Sequence, residues 1–342
     1  MGFILLSDQW IQFFKQIKWS VAAALILLHV SAVRGLCILV TDAKWQTVIA
    51  CYLLSVLAGI GVLAGAHRYY SHRSFKANWK LRLILIVLQT LSGQKSAIDW
   101  TLDHQTHHKY EGTNADAVSL GRGFFFAHIG WVVMERHPDC EAKRKQINVD
   151  YLMNDPLVRL QHQYYLFLYL VINCFIPTLI PYILFGETLV NSFYTCFALR
   201  YAYTMQLALS GNSFAHMYGY REYDKSSTST HNKPLNYLTL GGAYHNYHHA
   251  FPYDYSASEF GVKSFNIYSA FIEFFHRIGW AYDLKRAPQR MVDNRRNRTG
   301  GEVDTGAVFK RRPIVDWIIG WFISFNIVWT VIIYRLLTTL LF

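Results

Sequence analysis

Cysteine is scarce in this chain and follows no pattern. The five residues, Cys37, Cys51, Cys140, Cys174 and Cys196, include no C-x-x-C pair, which argues against a disulfide framework and against a zinc ribbon. H-E-x-x-H, the helical signature of a zinc protease, is missing. A single Glu-x-x-His, Glu273 to His276, falls short of the paired set that a carboxylate-bridged metal bundle uses. No short leader with a small-residue cleavage site opens the sequence, so the first apolar run is expected to act as an uncleaved anchor. RNP, helix-turn-helix and zinc-finger patterns are absent too, which excludes nucleic acid as the reason for a net charge of +11.

The placement of that charge is more informative. Of 33 Lys and Arg, 13 fall in residues 67–162 and 14 in residues 211–312. The positive-inside rule puts both regions in the cytosol. A basic cytosolic face suits phosphorylated substrates or an acidic protein partner.

Between these regions the chain is strongly apolar, and 52% of all residues are hydrophobic. Runs over 19–40, 45–66, 164–185 and 189–210 each approach the ~20 residues that a helical crossing needs. The expectation is an all-α integral membrane protein, with four crossings and a cytosolic cap built from residues 67–162 and 211–286. Leu81 to Ser92 is too short to cross and is read as an interfacial helix. Residues 1–18, with Trp10, Phe13 and Phe14 beside Lys15 and Lys18, read as a membrane-surface segment. Residues 287–312 read as a basic, flexible linker, and 313–342 as an apolar C-terminal helix that forms a fifth crossing. Arg200 lies inside the fourth run, where an ionisable residue faces protein or water.

Against this background stand the histidines. His245, His248 and His249 follow Gly242-Ala-Tyr, and His104, His107 and His108 repeat the same H-x-x-H-H spacing. On a helix, positions i, i+3 and i+4 share one face. A looser pair, His67 and His72, closes the second apolar run, and His216 follows Asn212 by four residues. Nine histidines exceed the three or four ligands that one zinc takes, so the number asks for two metals. Imidazole suits Zn, Cu, Fe and Ni alike, and spacing alone leaves the metal open.

Those blocks carry a resemblance. Gly65-Ala-His67-Arg-Tyr-Tyr-Ser-His72, Asp103-His104-Gln-Thr-His107-His108, Arg122-Gly-Phe-Phe-Phe-Ala-His-Ile-Gly-Trp131, Asn212-Ser-Phe-Ala-His216 and His245-Asn-Tyr-His-His-Ala-Phe-Pro, in that order, resemble the membrane acyl-CoA desaturases. The stearoyl-CoA desaturase type and its insect relatives are the nearest in pattern, over residues 45–286. The resemblance implies a mushroom-like four-span domain over residues 1–286 with a di-iron centre above a kinked acyl tunnel. His67, His72, His104, His107, His108, His216, His245, His248 and His249 would hold two iron ions, with Asn212 reaching one through water. It further implies delta-9-type desaturation of a fatty acyl-CoA by O2 at the endoplasmic reticulum membrane, with the active site cytosolic. Electrons would come from cytochrome b5 and its reductase, since no His-Pro-Gly-Gly haem motif is fused here.

Gln94, Lys95, Trp100 and Asp103 are the candidate substrate neighbours on the carrier side. Ser55 and Cys51, three and four turns before His67, are candidates for the blind end of the tunnel, or simply pack the bundle. Asp103, Asp254 and Glu259 are candidates to orient histidine N–H groups, or else are surface and capping carboxylates. Several positions depart from the family's usual pattern: Leu102 and Gln105 flank Asp103-His104 in place of arginines, Lys95 replaces Asn, Leu209 replaces Trp, and Ala117-Val118 replace Pro-His. The alternatives are a polyhistidine lipid hydroxylase, a sphingolipid desaturase, a silent family member, or a non-catalytic metal-binding membrane protein. Ligands clustered at span ends count against a transporter, which places them near the midplane.

Overall fold

A computed structural model describes residues 10–301 and 313–341. Residues 1–9 of the expected surface segment and 302–312 of the expected linker lie outside the described residues. The chain is helical, and its one two-stranded sheet pairs β1 (Lys76–Ala77) with β2 (Ala281–Tyr282) antiparallel.

Among the described residues, three helices are long and apolar enough to cross a membrane: α1 (Trp19–Thr41), α2 (Trp45–Ser71) and, further on, Tyr165–Phe185. Before the last of these come α3 (Trp79–Leu91) and α4 (Ala97–Tyr110), so Tyr165–Phe185 is α5. At 13 residues α3 is the short helix expected from its apolar run. Residues 189–212, in the pieces Leu189–Ser192, Phe193–Leu199 and Arg200–Asn212, form one helix, α6. It is not among the helices apolar enough to cross by composition. The reason is a polar inner face, since Ser192, Thr195 and Arg200 are fully buried. Arg200 donates to the carbonyls of Cys196, Leu91 and Asn173 and to Asn173 Oδ1, at 2.6–3.0 Å. A buried guanidinium that meets this many acceptors is structural glue, because its N–H donors are paired away from water and it ties α3, α5 and α6 together.

One junction sets the direction of the bundle. Glu187, in the turn before α6, accepts from the Lys44 backbone N–H (2.8 Å) and from Thr47 Oγ1 (3.0 Å) at the start of α2. Thus α2 and α6 begin at the same end and run parallel, and both finish at the opposite end, where His67, His72 and His216 lie. Close approach is built in by glycine. A Cβ on Gly61 would lie 2.1 Å from the Leu88 backbone of α3, and one on Gly35 would lie 2.1 Å from the Tyr194 carbonyl of α6.

Past α6 come α7 (Phe214–Met217), α8 (His245–Ala250) and α9 (Ile267–Arg277). Then the structure departs from a flexible linker, because Gln289–Thr299 is a helix, α10. It is docked by ion pairs from Arg295 to Asp224 and from Arg296 to Glu259. The apolar C-terminal stretch is likewise not one helix. It is two, α11 (Pro313–Ser324) and α12 (Asn326–Leu341), bent by 60°. At the break, Asn326 Nδ2 donates to the Ile323 carbonyl and to Tyr203 Oη, and such local side-chain bonds compete with the helical ladder.

Candidate metal centre

The nine histidines form two groups. Ring nitrogens of His67, His72, His104, His108 and His248 lie within 4.8 Å of one another, and so do those of His107, His216, His245 and His249. Sharing one helical face does not put the three histidines of a triplet into one group. His104 and His108 join the first group and His107 the second; His245 and His249 join the second and His248 the first. Successive residues on a helix diverge by ~100°, so α4 and α8 each lie between the two groups and feed both. His108 and His249, from opposite groups, stack with ring centroids 4.1 Å apart.

Within the groups, Nε2 atoms face one another: His67 and His248 at 2.9 Å, His72 and His104 at 2.8 Å, His248 and His108 at 3.1 Å. In the second group His216 and His245 are 2.9 Å apart, and His245 and His249 3.2 Å. What occupies the far side of each ring decides the proton positions. His249 Nδ1 donates to Glu111 (3.0 Å) and His107 Nδ1 to Asp116 (2.9 Å). His216 Nδ1 meets Thr228 Oγ1 at 2.8 Å, and that hydroxyl gives its own hydrogen to Glu111, so it accepts from the ring. With Nδ1 carrying the hydrogen, Nε2 of all three is a bare lone pair aimed inward. His107 Nε2 is buried with no partner at all. Several lone pairs converging without a donor repel one another, and a cation is the group that satisfies them. Separations of 2.8–3.2 Å also suit neighbouring ligands sharing one ion at the ~2.1 Å typical of metal–imidazole bonds. The residues therefore fit two metal ions.

Electrostatics agree. Burial, followed by the neighbouring imidazoles, holds His104, His108, His216, His245 and His248 well below the ordinary histidine value. His72 is pushed down to about 3. Neutral rings are the ligand state. Burial also acts on His107, but the Asp116 carboxylate outweighs it and raises the ring's basicity, as carboxylate partners of metal-ligating histidines do. Burial alone would raise Glu111, yet its hydrogen bonds from His249 and Thr228 leave it well below the carboxylate range.

Glu111 and Asp116 are thus the carboxylates that hold the rings, and reading the sequence missed both. A signal existed, since Glu111 is one turn past His107. The residues weighed for that role are engaged elsewhere. Asp103 pairs with Lys95 (2.7 Å), Arg136 (2.9 Å) and Arg144 (2.7 Å). Asp254 accepts from Tyr247, Ser256 and the Ala287 N–H, and Glu259 pairs with Arg296 and Tyr223. Glu273 and His276 bond Tyr255 and the Ala281 carbonyl, outside both histidine groups.

Among the other candidates, Trp100 lies against His104, with ring centroids 4.7 Å apart. Lys95 Nζ sits 4.5 Å from the Trp131 ring centroid. Its backbone is left-handed at φ 67°, a conformation costly for a non-glycine residue and common where strain serves a site. Gln94 keeps a buried amide nitrogen without a partner. Cys51 and Ser55 are buried in α2, and Ser55 Oγ donates to the Cys51 carbonyl at 2.8 Å. Asn212 is the last residue of α6, four before His216.

Fold and site together define a helical protein with apolar, membrane-length helices and two buried histidine groups, each able to hold a metal ion. Comparison with known proteins narrows that class. The fatty acid desaturase family model matches residues 43–258. The chain is 42% identical over 286 residues to an acyl-CoA Delta-9 desaturase of Acheta domesticus, covering 84% of this chain and 80% of that one. It is 43% identical over 277 residues to an acyl-CoA Delta(11) desaturase of Choristoneura rosaceana (81% and 82%), and 42% over 287 residues to human stearoyl-CoA desaturase 5 (84% and 86%). The chain belongs to the fatty acid desaturase family.

Proposed function

We propose that this protein is a fatty acyl-CoA desaturase, introducing a double bond into a saturated acyl chain with O2 as oxidant. The observation that carries the reading is the pair of buried histidine groups, the second of them proton-ordered by Glu111, Asp116 and Thr228, in a chain of this family. Two iron ions, held by the nine histidines with Asn212 near the second group, would supply the redox chemistry for C–H cleavage when bound. The chain's own residues do the rest. Glu111, Asp116 and Thr228 keep hydrogen on the outer nitrogens, so the inner ones stay available to metal. Trp100 shields the His104 side from water, which a reactive centre must exclude.

Gln94, Lys95, Trp100 and Asp103 are assigned to the acyl-CoA entry, because Asp103, which pairs with Lys95, immediately precedes His104 and Trp100 touches its ring. Cys51 and Ser55 are assigned to the inner end of the acyl path, with Ser55 ~18 Å before His67 along α2. An apolar chain offers no polar handle near its middle, so position must come from the shape of such a path. Relatives act at the Delta-9, Delta(11) and Delta12 positions by name, and a delta-9 outcome is the reading kept here.

Membrane placement follows the same reading: α1, α2, α5 and α6 cross the endoplasmic reticulum membrane, with the histidines on the cytosolic side. Electrons come from cytochrome b5 and its reductase. In support, an open groove of about 790 Å³ is lined by Arg290, Arg295 and Arg298 together with Ala250 and Phe251, which follow directly on His249. A basic groove next to a metal ligand suits an acidic electron donor.

The test is expression in a yeast strain lacking its own fatty-acid desaturase, followed by gas chromatography–mass spectrometry of derivatised lipids. A new monoene, and its bond position, is the expected result. An alcohol would indicate a hydroxylase. Neither product from a metal-loaded protein would overturn the acyl-CoA reading.

A further inference from the structure

The C-terminal helix pair lies beyond the residues that match the family model, yet it is bonded into both ends of the bundle. At one end Asp316 Oδ2 accepts from the Phe265 N–H at 2.6 Å, while Oδ1 accepts from Tyr237 Oη at 2.5 Å. Trp317 Nε1 donates to the Val262 carbonyl at 3.0 Å. The Phe265 ring rests directly on Gly320, where a Cβ would stand 2.1 Å from Cγ of the ring. At the other end Arg335 donates to the carbonyls of Leu39, Val40 and Ala43, at 2.6–3.2 Å, in the turn between α1 and α2. Midway, Ser324 Oγ meets Tyr52 Oη (3.3 Å) and Asn326 meets Tyr203.

The first of these contacts leads to the histidines. Phe265 is followed by Asn266, fully buried, whose Oδ1 accepts from the Arg68 guanidinium at 3.4 Å. Arg68 also donates to the Tyr255 carbonyl (3.0 Å) and Ser269 Oγ (3.1 Å), both held by the same loop and the start of α9. Arg68 is 2% exposed and adjoins His67, whose ring belongs to the five-histidine group. The tail thus reaches His67 through two hydrogen bonds, Asp316 to Phe265 and Asn266 to Arg68, each carried one residue further along the chain.

We propose that the C-terminal helix pair braces the metal centre: Asp316 and Gly320 are positioning residues that fix Phe265–Asn266, and through Arg68 they fix His67. The inference rests on the metal reading of the histidines. A histidine left free to swing loses the pre-organisation that metal affinity depends on; partners bonded directly to a ligand change affinity by about 10–100-fold, so supports further out are expected at or below the lower end of that range.

The test uses the full-length protein in lipid nanodiscs, loaded with iron or with cobalt(II) as a spectroscopic probe. Metal per chain, the rate of metal transfer to a chelator and the thermal midpoint are measured together. Asp316→Ala and Gly320→Ala are expected to release metal about tenfold faster, at temperatures where both remain folded, and to alter the cobalt absorption spectrum. Asp316→Asn, whose amide oxygen still accepts from the Phe265 N–H, should restore most of the retention. Ile318→Ala, on the 63% exposed face of the same helix, should match the unaltered protein. Should Gly320→Ala not fold, the Asp316 pair decides. Wild-type release rates and spectra in the Asp316 variants, or losses that only track a lower midpoint without rescue by Asn, would overturn the brace. An unaltered protein that binds neither metal would instead overturn the metal reading beneath it, before any variant is compared.

Discussion

Glu111 offers the sharpest test of how the second histidine group is held. Its two oxygens accept from His249 Nδ1 (3.0 Å), the Thr228 N–H (2.8 Å), Thr228 Oγ1 (2.5 Å) and Ser227 Oγ (3.0 Å). Replacing it by Gln keeps the shape but puts an NH2 where an acceptor stood. At least one donor is then left facing a donor, and the charge that strengthens the His249 bond is gone. A hydrogen bond to a charged partner contributes about 1.5–3 kcal/mol. At ~1.4 kcal/mol per factor of ten, Glu111→Gln should weaken metal retention by about 10–100-fold. Chelator competition followed by metal analysis reads this directly, without relying on turnover. Thr228→Ala removes both the bond to His216 Nδ1 and the hydroxyl's bond to the charged Glu111, so it should also weaken metal retention, by about 10-fold or more. Metal retention in Glu111→Gln equal to the unaltered protein would refute the claim that Glu111 sets the His249 proton. It would also leave the inward lone pairs without their cause.

Other outcomes follow from the same structure. His245→Ala, His248→Ala and His249→Ala should each abolish product while the protein remains inserted in membranes; normal product from all three would remove the metal assignment. Gly61→Ala forces a methyl into the Leu88 backbone and should destabilise the α2–α3 contact by about 1–3 kcal/mol, read as a lower thermal midpoint. Arg200→Ala removes the bonds to Leu91, Cys196 and Asn173 that tie three helices together and leaves a cavity; poor recovery of folded protein is expected, since each lost bond to a charged group contributes about 1.5–3 kcal/mol. A tag after Phe342 should be protected from protease in sealed microsomes if α11 and α12 together cross the bilayer, and cleavage there would place them on the surface.

Much of the site was legible because histidine spacing is a local signal. Six of the nine, His104, His107, His108, His245, His248 and His249, recur at helical intervals, while the His67 and His72 pair and His216 stood out by their place at the ends of apolar runs and by the resemblance. Their division was not legible in that way. Whether His107 sides with His104 or with His216 depends on where α7 and α8 meet α4, and that depends on how α2 and α6 are aligned through Lys44 and Glu187. The carboxylates show the same limit. Asp103 adjoins a ligand in sequence but is turned to Lys95, Arg136 and Arg144, whereas Glu111 reaches His249 from a distant segment. The kink at Ser324 and Asn326 went unread because its partners, Tyr52 and Tyr203, lie on other helices.

Sequence alone settled three of the apolar membrane-length helices, the basic distribution, the histidine boxes and, through them, the family, because each is written in composition or short-range spacing. Only the tertiary structure decided which histidine serves which metal group, which carboxylates order their protons, and that the C-terminal helices belong to the scaffold of the site. Those are contacts between residues far apart in the chain, and burial fixes their partners only once the helices are packed.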